Sequence, residues 1–260
     1  MPRNFSRHAG RCALAAMVKA PRSGEVKTRL VPPLQADEAC VLSACFVRDI
    51  MTNFLTVSER APADCFAAYT PPGSEALFRE LLPPRIRMLP PRSVGLGNSL
   101  PDAVEDLVAQ GYDGACLVNA DSPTLPTAIL VDAITRLRAP GDRVVLGPAT
   151  DGGYYLIGLK RPHRPLFQGI AWSTERVYAQ TLERAALLGL EVVTLPAWYD
   201  VDDAASFNWL CRELLGGQRP PACMQEGYAA PHTRDCLRGL IAAGAERLGQ
   251  VPARPEPVAR

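Results

Sequence analysis

Apolar positions along the chain alternate between short unbroken runs and stretches that repeat every four residues. Residues 12–18, CALAAMV, form an unbroken run of strand length, suited to a strand buried on both faces. Leu42, Phe46, Ile50 and Phe54 then step by four and share one face of a helix. Residues 64–69, DCFAAY, predict a second strand, stopped by Thr70-Pro71-Pro72-Gly73. A short helix over 74–82, a short strand over 86–89 and a helix over 99–109 follow. The run 114–119, GACLVN, is closed by Asp121-Ser122-Pro123, and Pro126 opens a further helix, since proline suits a first turn. Strands are predicted at 143–147 (RVVLG), at YYLIGL after Gly152-Gly153, and at 191–195. Ser173 is read as the cap of a helix running to Leu188, with Glu175 in its first turn, and a last helix covers 203–215.

This alternation of strands and helices predicts an α/β fold, a mostly parallel sheet covered by helices on both faces. In such sheets ligands lie beyond the carboxyl ends of the strands. The polar, glycine-rich clusters follow 12–18, 114–119 and 143–147, where that rule puts a small-molecule site. Residues 1–11 are read as a polar leader and 12–215 as one domain. The remainder, 216–260, is read as a linker (GGQRPP), one more helix over 232–248, and a disordered end.

Composition narrows the class. With 260 residues, 47% of them hydrophobic, the chain can build a sizeable core. A net charge of +1 gives no footprint for nucleic acid and no polybasic membrane patch. No apolar run reaches the roughly 18 residues of a membrane span. The apolar stretch after the basic start is cut short by Lys19 and Pro21, unlike a secretory signal, so a reducing cytoplasm is the expected compartment. Eight cysteines form no CxxC pair and no zinc spacing, and read as small apolar fillers. Of 28 basic residues only Lys19, Lys27 and Lys160 are lysines, and two of these share one short motif. Nothing in the pattern reads out an oligomeric state.

That motif is Lys19-Ala20-Pro21-Arg22-Ser23-Gly24-Glu25-Val26-Lys27-Thr28-Arg29-Leu30, directly after the first strand. Gly24 permits a tight turn whose backbone N–H groups can face a phosphate, and Lys19, Lys27 and Arg29 can neutralise a diphosphate. The same residues would also make an ordinary basic surface loop. Asn119-Ala120-Asp121-Ser122-Pro123 puts a carboxylate at a strand end, where Asp121 can hold Mg²⁺ or Mn²⁺ or simply cap a turn. Asp151-Gly152-Gly153 lies between two strands, as a turn, a ligand approach, or both; Asp151 can orient or deprotonate an acceptor hydroxyl. Asp200, Asp202 and Asp203 can supply a second metal ligand or cap the next helix. Trp172 lines a pocket or packs on the sheet.

Taken in order, Lys-x-Pro-x-x-Gly-x-x-Lys-Thr-Arg-Leu, Asp-Ser-Pro, Asp-Gly-Gly-Tyr-Tyr-Leu-x-Gly-Leu, Trp-Ser-Thr and Asp-Val-Asp resemble a bacterial GT-A-like family. Its members are labelled arsenosugar-biosynthesis or uncharacterised glycosyltransferases. The resemblance covers about residues 12–215. It departs at Asn119-Ala120-Asp121-Ser122-Pro123, where the family often has Gly-Thr-Asp-Cys-Pro. It departs again at residues 93–101, which lack the family's acid and arginine.

The resemblance implies a Rossmann-like nucleotide-diphospho-sugar transferase fold with a mixed sheet, a UDP- or GDP-sugar donor, a small-molecule acceptor and a divalent metal. It puts Lys19, Gly24, Lys27 and Arg29 at the nucleotide phosphates and Asp121 on the metal. Asp151, Gly152, Gly153 and Trp172 fall on the acceptor side, with Asp202 and Asp203 beside them or the metal. The expected activity is glycosyl transfer. The alternatives are nucleotidyl transfer to a small phosphorylated acid or sugar, which the Lys27-Thr28-Arg29-Leu30 loop also resembles, and a non-catalytic nucleotide-binding scaffold.

Overall fold

The structure, a computed structural model, describes residues 8–244. Most of the expected leader, the last turn of the helix expected over 232–248, and the end expected to be disordered lie outside the described residues.

The chain runs β1 (Cys12–Lys19), α1 (Ala36–Arg60), β2 (Ala63–Thr70), α2 (Glu75–Leu81), β3 (Arg87–Leu89), α3 (Leu96–Ala109), β4 (Ala115–Asn119) and α4 (Thr127–Arg138). It continues with β5 (Arg143–Pro148), β6 (Tyr154–Leu159), α5 (Val177–Leu187), β7 (Glu191–Thr194), α6 (Ala204–Gly216) and α7 (Pro231–Gly244). The strands form a seven-stranded sheet in the order β3-β2-β1-β4-β6-β5-β7. All neighbours are parallel except β6, which runs antiparallel to both β4 and β5. This is the mostly parallel, helix-flanked α/β architecture read from the alternation of elements.

Side-chain alternation on the strands divides the core into two layers. Leu14, Ala16 and Val18 of β1 turn to the face covered by α1, α4, α6 and α7, where Phe46, Phe54, Ile134 and Leu210 are buried. Ala13 and Ala15 turn to the opposite face, against Leu100, Val104 and Leu107 of α3. A strand buried on both faces must be apolar at every position, which explains the unbroken run at 12–18. Because β1 leads toward β2 and β3 while β4 lies on its other side, the strand order reverses between β1 and β4. The crevice beyond their carboxyl ends is where such sheets bind ligands.

Two local expectations change. Ser173 does not cap α5. It takes a left-handed φ of 64°, and the helix starts at Val177. Residues 173–176 form a loop instead, because Glu175 packs against the turn at Gly152. A Cβ at Gly152 would meet the Glu175 carbonyl oxygen at 2.2 Å, so only glycine fits there. The second change concerns membrane spans. Among the described residues one helix, α1, is long and apolar enough by length and composition to cross a membrane, with a mean hydropathy of 1.4 over its most apolar window. Of that window 61% is buried within the fold, against α7, β2, α4 and β1, which accounts for its composition.

α7 is fastened to α1 by a buried carboxylate. Asp49 is fully buried and accepts hydrogen bonds from the backbone N–H groups of His232 (3.0 Å) and Thr233 (2.7 Å) in the first turn of α7. These are two of the N–H groups that a helix start leaves without intrahelical partners. Asp49→Ala is expected to lower stability by about 1–2 kcal/mol through loss of the cap. The check is a lowered midpoint in urea unfolding at unchanged slope, with Asp49→Asn retaining part of the loss.

Candidate active site

Four segments converge beyond the β1–β4 edge: the loop after β1, the end of β4, the β5–β6 turn and the segment after β7. Backbone pairing holds the last three together. Val201 N donates to Asp121 O (2.8 Å), Trp198 N to Pro148 O (3.1 Å) and Thr150 N to Trp198 O (3.0 Å). Trp198 is fully buried and anchors this strap in the core.

Lys27 joins the loop after β1 to this group. Its side chain is 6% exposed. The ammonium donates to Asp121 Oδ1 in a short contact, to Asp202 Oδ1 (2.9 Å) and to the Val201 carbonyl (2.8 Å), with the Phe46 ring 5.4 Å away. Burial alone would lower the lysine pKa. The carboxylates of Asp121 and Asp202 outweigh it and raise the value, so the ammonium stays charged. Lys27 was expected at the phosphates and Asp121 on the metal; the structure brings the two residues into one ion pair.

The other cations are freer. Lys19 donates to the Glu25 carbonyl (2.8 Å) from an exposed position. The Arg29 side chain is 75% exposed and approaches Asp202 only to 3.9 Å. Gly24 makes the expected turn, with φ 75°. Lys19, Lys27 and Arg29 line a cavity of about 250 Å³ with Asp121 and Asp202. A second cavity, of about 400 Å³, opens on the other side of the same acids and is bounded by Asp151, Gly153, Tyr154 and Trp172. The rings of Trp172 and Tyr154 meet edge to face, with centroids 6.5 Å apart. Asp151 is exposed, and its Oδ1 accepts from Gly153 N (2.8 Å), which shapes the turn. A third cavity, of about 370 Å³, extends past Met17 toward Tyr69, Leu89 and the start of α3. Residues 93–96 form part of its wall.

Of the three acids after β7, each has a different place. Asp202 pairs with Lys27. Asp203 is the N-cap of α6: its Oδ1 accepts from Ser206 N (2.8 Å) and Ser206 Oγ (2.7 Å). It does not line either cavity at the acids. Asp200, grouped in the sequence with the other two acids, faces the larger cavity. Burial, together with the charges of Asp151, Asp202 and Asp121, raises its pKa to about 7. One sequence signal could have separated these residues. An acid directly before a helix, with serine at the third helical position, is a capping box, which marks Asp203 as structural and leaves Asp200 and Asp202 for chemistry.

Asp121, Asp151, Asp200 and Asp202 all line the larger cavity, and carboxylate oxygens are the donors that Mg²⁺ and Mn²⁺ take. In chemistry the residues therefore fit a divalent cation held by Asp121 and Asp202. Among the described residues, however, no three acid, thiol or imidazole groups are grouped to hold a metal ion. The Lys27 ammonium stands between Asp121 and Asp202.

A seven-stranded mixed sheet with a cationic loop after β1 and acids at the ends of β4 and after β7 is the architecture of the GT-A-like nucleotide-diphospho-sugar transferase fold. A family model of uncharacterised proteins conserved in bacteria, DUF2064, matches residues 54–174. A crystal structure from Desulfovibrio desulfuricans G20, named as a nucleotide-diphospho-sugar transferase, is 30% identical, with a TM-score of 0.74. That match covers 92% of this chain and 98% of the other. The chain belongs to this GT-A-like family. More distant similarity extends to CMP:2-keto-3-deoxy-manno-octonic acid synthetase complexed with CTP (12% identity, 80% of this chain and 99% of that one, TM-score 0.49). It extends also to a Mycobacterium tuberculosis H37Rv protein solved with manganese (16% identity, 80% and 98%, TM-score 0.43). Likeness at those scores transfers no residue roles. A search of curated proteins finds no match.

The third cavity is closed by an ion network. Asp102, whose side chain is 12% exposed, accepts from Arg92 (3.0 Å) and Arg164 (2.7 Å). Burial opposes ionisation of Asp102, but the Ser93 hydroxyl and the two guanidiniums together prevail and lower its pKa to about 2. A lowered carboxylate pKa stabilises the fold above the ordinary value, and the contribution is lost as pH falls from about 4 to about 2. Asp102→Asn is therefore expected to be less stable than the wild type at pH 7. The gap in urea midpoint should close as pH is lowered through that window; a gap independent of pH would refute the ionic account.

Proposed function

We propose that the protein transfers a sugar from a nucleotide-diphosphate donor, a UDP- or GDP-sugar, to a small-molecule acceptor, using Mg²⁺ or Mn²⁺. The observation that carries this reading is the meeting of phosphate-suited cations and metal-suited carboxylates in one crevice at the strand-order reversal, with an aromatic-walled cavity beside them. Lys19 and Arg29, with the backbone turn at Gly24, bind the diphosphate. Asp121 and Asp202 hold the metal, which when bound neutralises charge on the departing nucleoside diphosphate. Asp151 orients or deprotonates the acceptor hydroxyl. Gly152 and Gly153 keep the turn close to the acceptor, and Trp172 and Tyr154 offer ring faces to it. The acceleration is mainly electrostatic and positional.

Nucleotidyl transfer is the second reading, favoured by the Lys27-Thr28-Arg29-Leu30 loop. In it an acceptor phosphate attacks the α-phosphorus of a nucleoside triphosphate and pyrophosphate leaves. Thermal unfolding with nucleoside diphosphates, their sugars, CTP and GTP, each with and without Mn²⁺, separates the readings, since a ligand of the native state raises the melting temperature. A metal-dependent rise with one diphosphate and its sugar is expected. A rise with triphosphates alone selects nucleotidyl transfer, and no rise with any of them selects a non-catalytic scaffold. Asp121→Ala is expected to unfold cooperatively yet lose the metal-dependent rise and at least about 100-fold in kcat. Full activity in that variant removes Asp121 from the mechanism.

A further inference from the structure

Lys27 is bound in a way that its neighbours Lys19 and Arg29 are not. An ammonium has three N–H donors, and those of Lys27 have three partners: Asp121, Asp202 and the Val201 carbonyl. In this state none is left for a phosphate, although the residue lies on the wall of the cavity that holds Lys19 and Arg29. Its left-handed φ of 49° shows a backbone bent into an unfavoured conformation around this inward-turned side chain. The two carboxylates it bridges remain open to solvent, each 38% exposed, so an ion arriving through either cavity can reach them.

We propose that Lys27 is a resident counter-ion which a divalent cation displaces from Asp121 and Asp202, and which is thereby released to the donor diphosphate. The inference rests on the metal reading above and specifies how that metal is admitted. Before the ion arrives, the ammonium keeps the two carboxylates from repelling each other. Once the ion takes their oxygens, the ammonium loses its partners and, on a flexible four-carbon stem, turns into the cavity shared with Lys19 and Arg29. Metal and diphosphate then favour each other by linkage, because the metal sets free a cation that the phosphate uses.

Two experiments on the protein without nucleotide test this. In the first, Mn²⁺ affinity is measured by calorimetry for the wild type and Lys27→Met. Removing a competitor is expected to tighten Mn²⁺ binding at least tenfold. Unchanged or weaker binding overturns the proposal, since a residue that merely holds the site in shape would loosen the ion when removed. In the second, the wild-type chain is treated with an amine acetylating reagent and the modified lysines are read by mass spectrometry. The chain has only three lysines, so each is resolved. Lys160, held by the Ala139 and Gly141 carbonyls, is the internal control. Lys27 is expected to be protected without metal and to react at least tenfold faster at saturating Mg²⁺. Protection that persists with Mg²⁺ bound overturns the exchange even if Lys27→Met fails to fold. Absence of Mn²⁺ binding by both proteins is a different result: it removes the metal reading itself, and the proposal with it.

Discussion

The site depends on one buried ammonium shared by two carboxylates. Lys27 comes from the loop after β1, Asp121 from the end of β4 and Asp202 from the strap after β7. An isolated ammonium with 6% exposure would be too costly to keep, and the two carboxylates beside it supply the compensating charge. The Lys27 ammonium stays charged because both carboxylates are present. Both carboxylates are 38% exposed, so each pair contributes less than a fully buried one would.

What surrounds the ammonium explains how a small α/β domain can offer several binding volumes at once. Met17, near the carboxyl end of β1, touches all three cavities. The cationic cavity, the aromatic cavity and the volume reaching toward α3 are compartments of a single crevice. The acids lie where the first two meet. Asp121 and Asp202 line both of them.

The fold was legible because burial imposes strong patterns. Strands buried on both faces must be unbroken apolar runs, and α1 shows its four-residue step because one face lies under the sheet. The direction of β6 was less plain. Yet the five residues between β5 and β6 are too few for a crossover, which by itself requires an antiparallel neighbour. The site was legible in its residue types but not in its pairings. The partners of Lys27 lie 94 and 175 positions away, and no local pattern joins a lysine to acids at such separations. The capping pattern marks Asp203 in the sequence, but Asp200 and Asp202 look alike there, and only the ion pair of Asp202 with Lys27 tells them apart. Ser173 misled for a similar reason. A serine before a helical pattern is an ordinary cap, and only the close approach of Glu175 to Gly152 shows that the chain is spent on a contact first.

The antiparallel placement of β6 also bears on how the molecule assembles. The β5–β6 pair joins neighbours in sequence and closes a short loop, at small entropic cost. The β1–β4 pairing and the Lys27 bridge join segments about a hundred residues or more apart, and loop entropy must be met before they yield any energy. The crevice lies along those long-range pairings, so it exists only once the sheet is complete. Binding competence is in that sense a property of the finished chain: no early hairpin or helical fragment holds enough of the acids to mimic it.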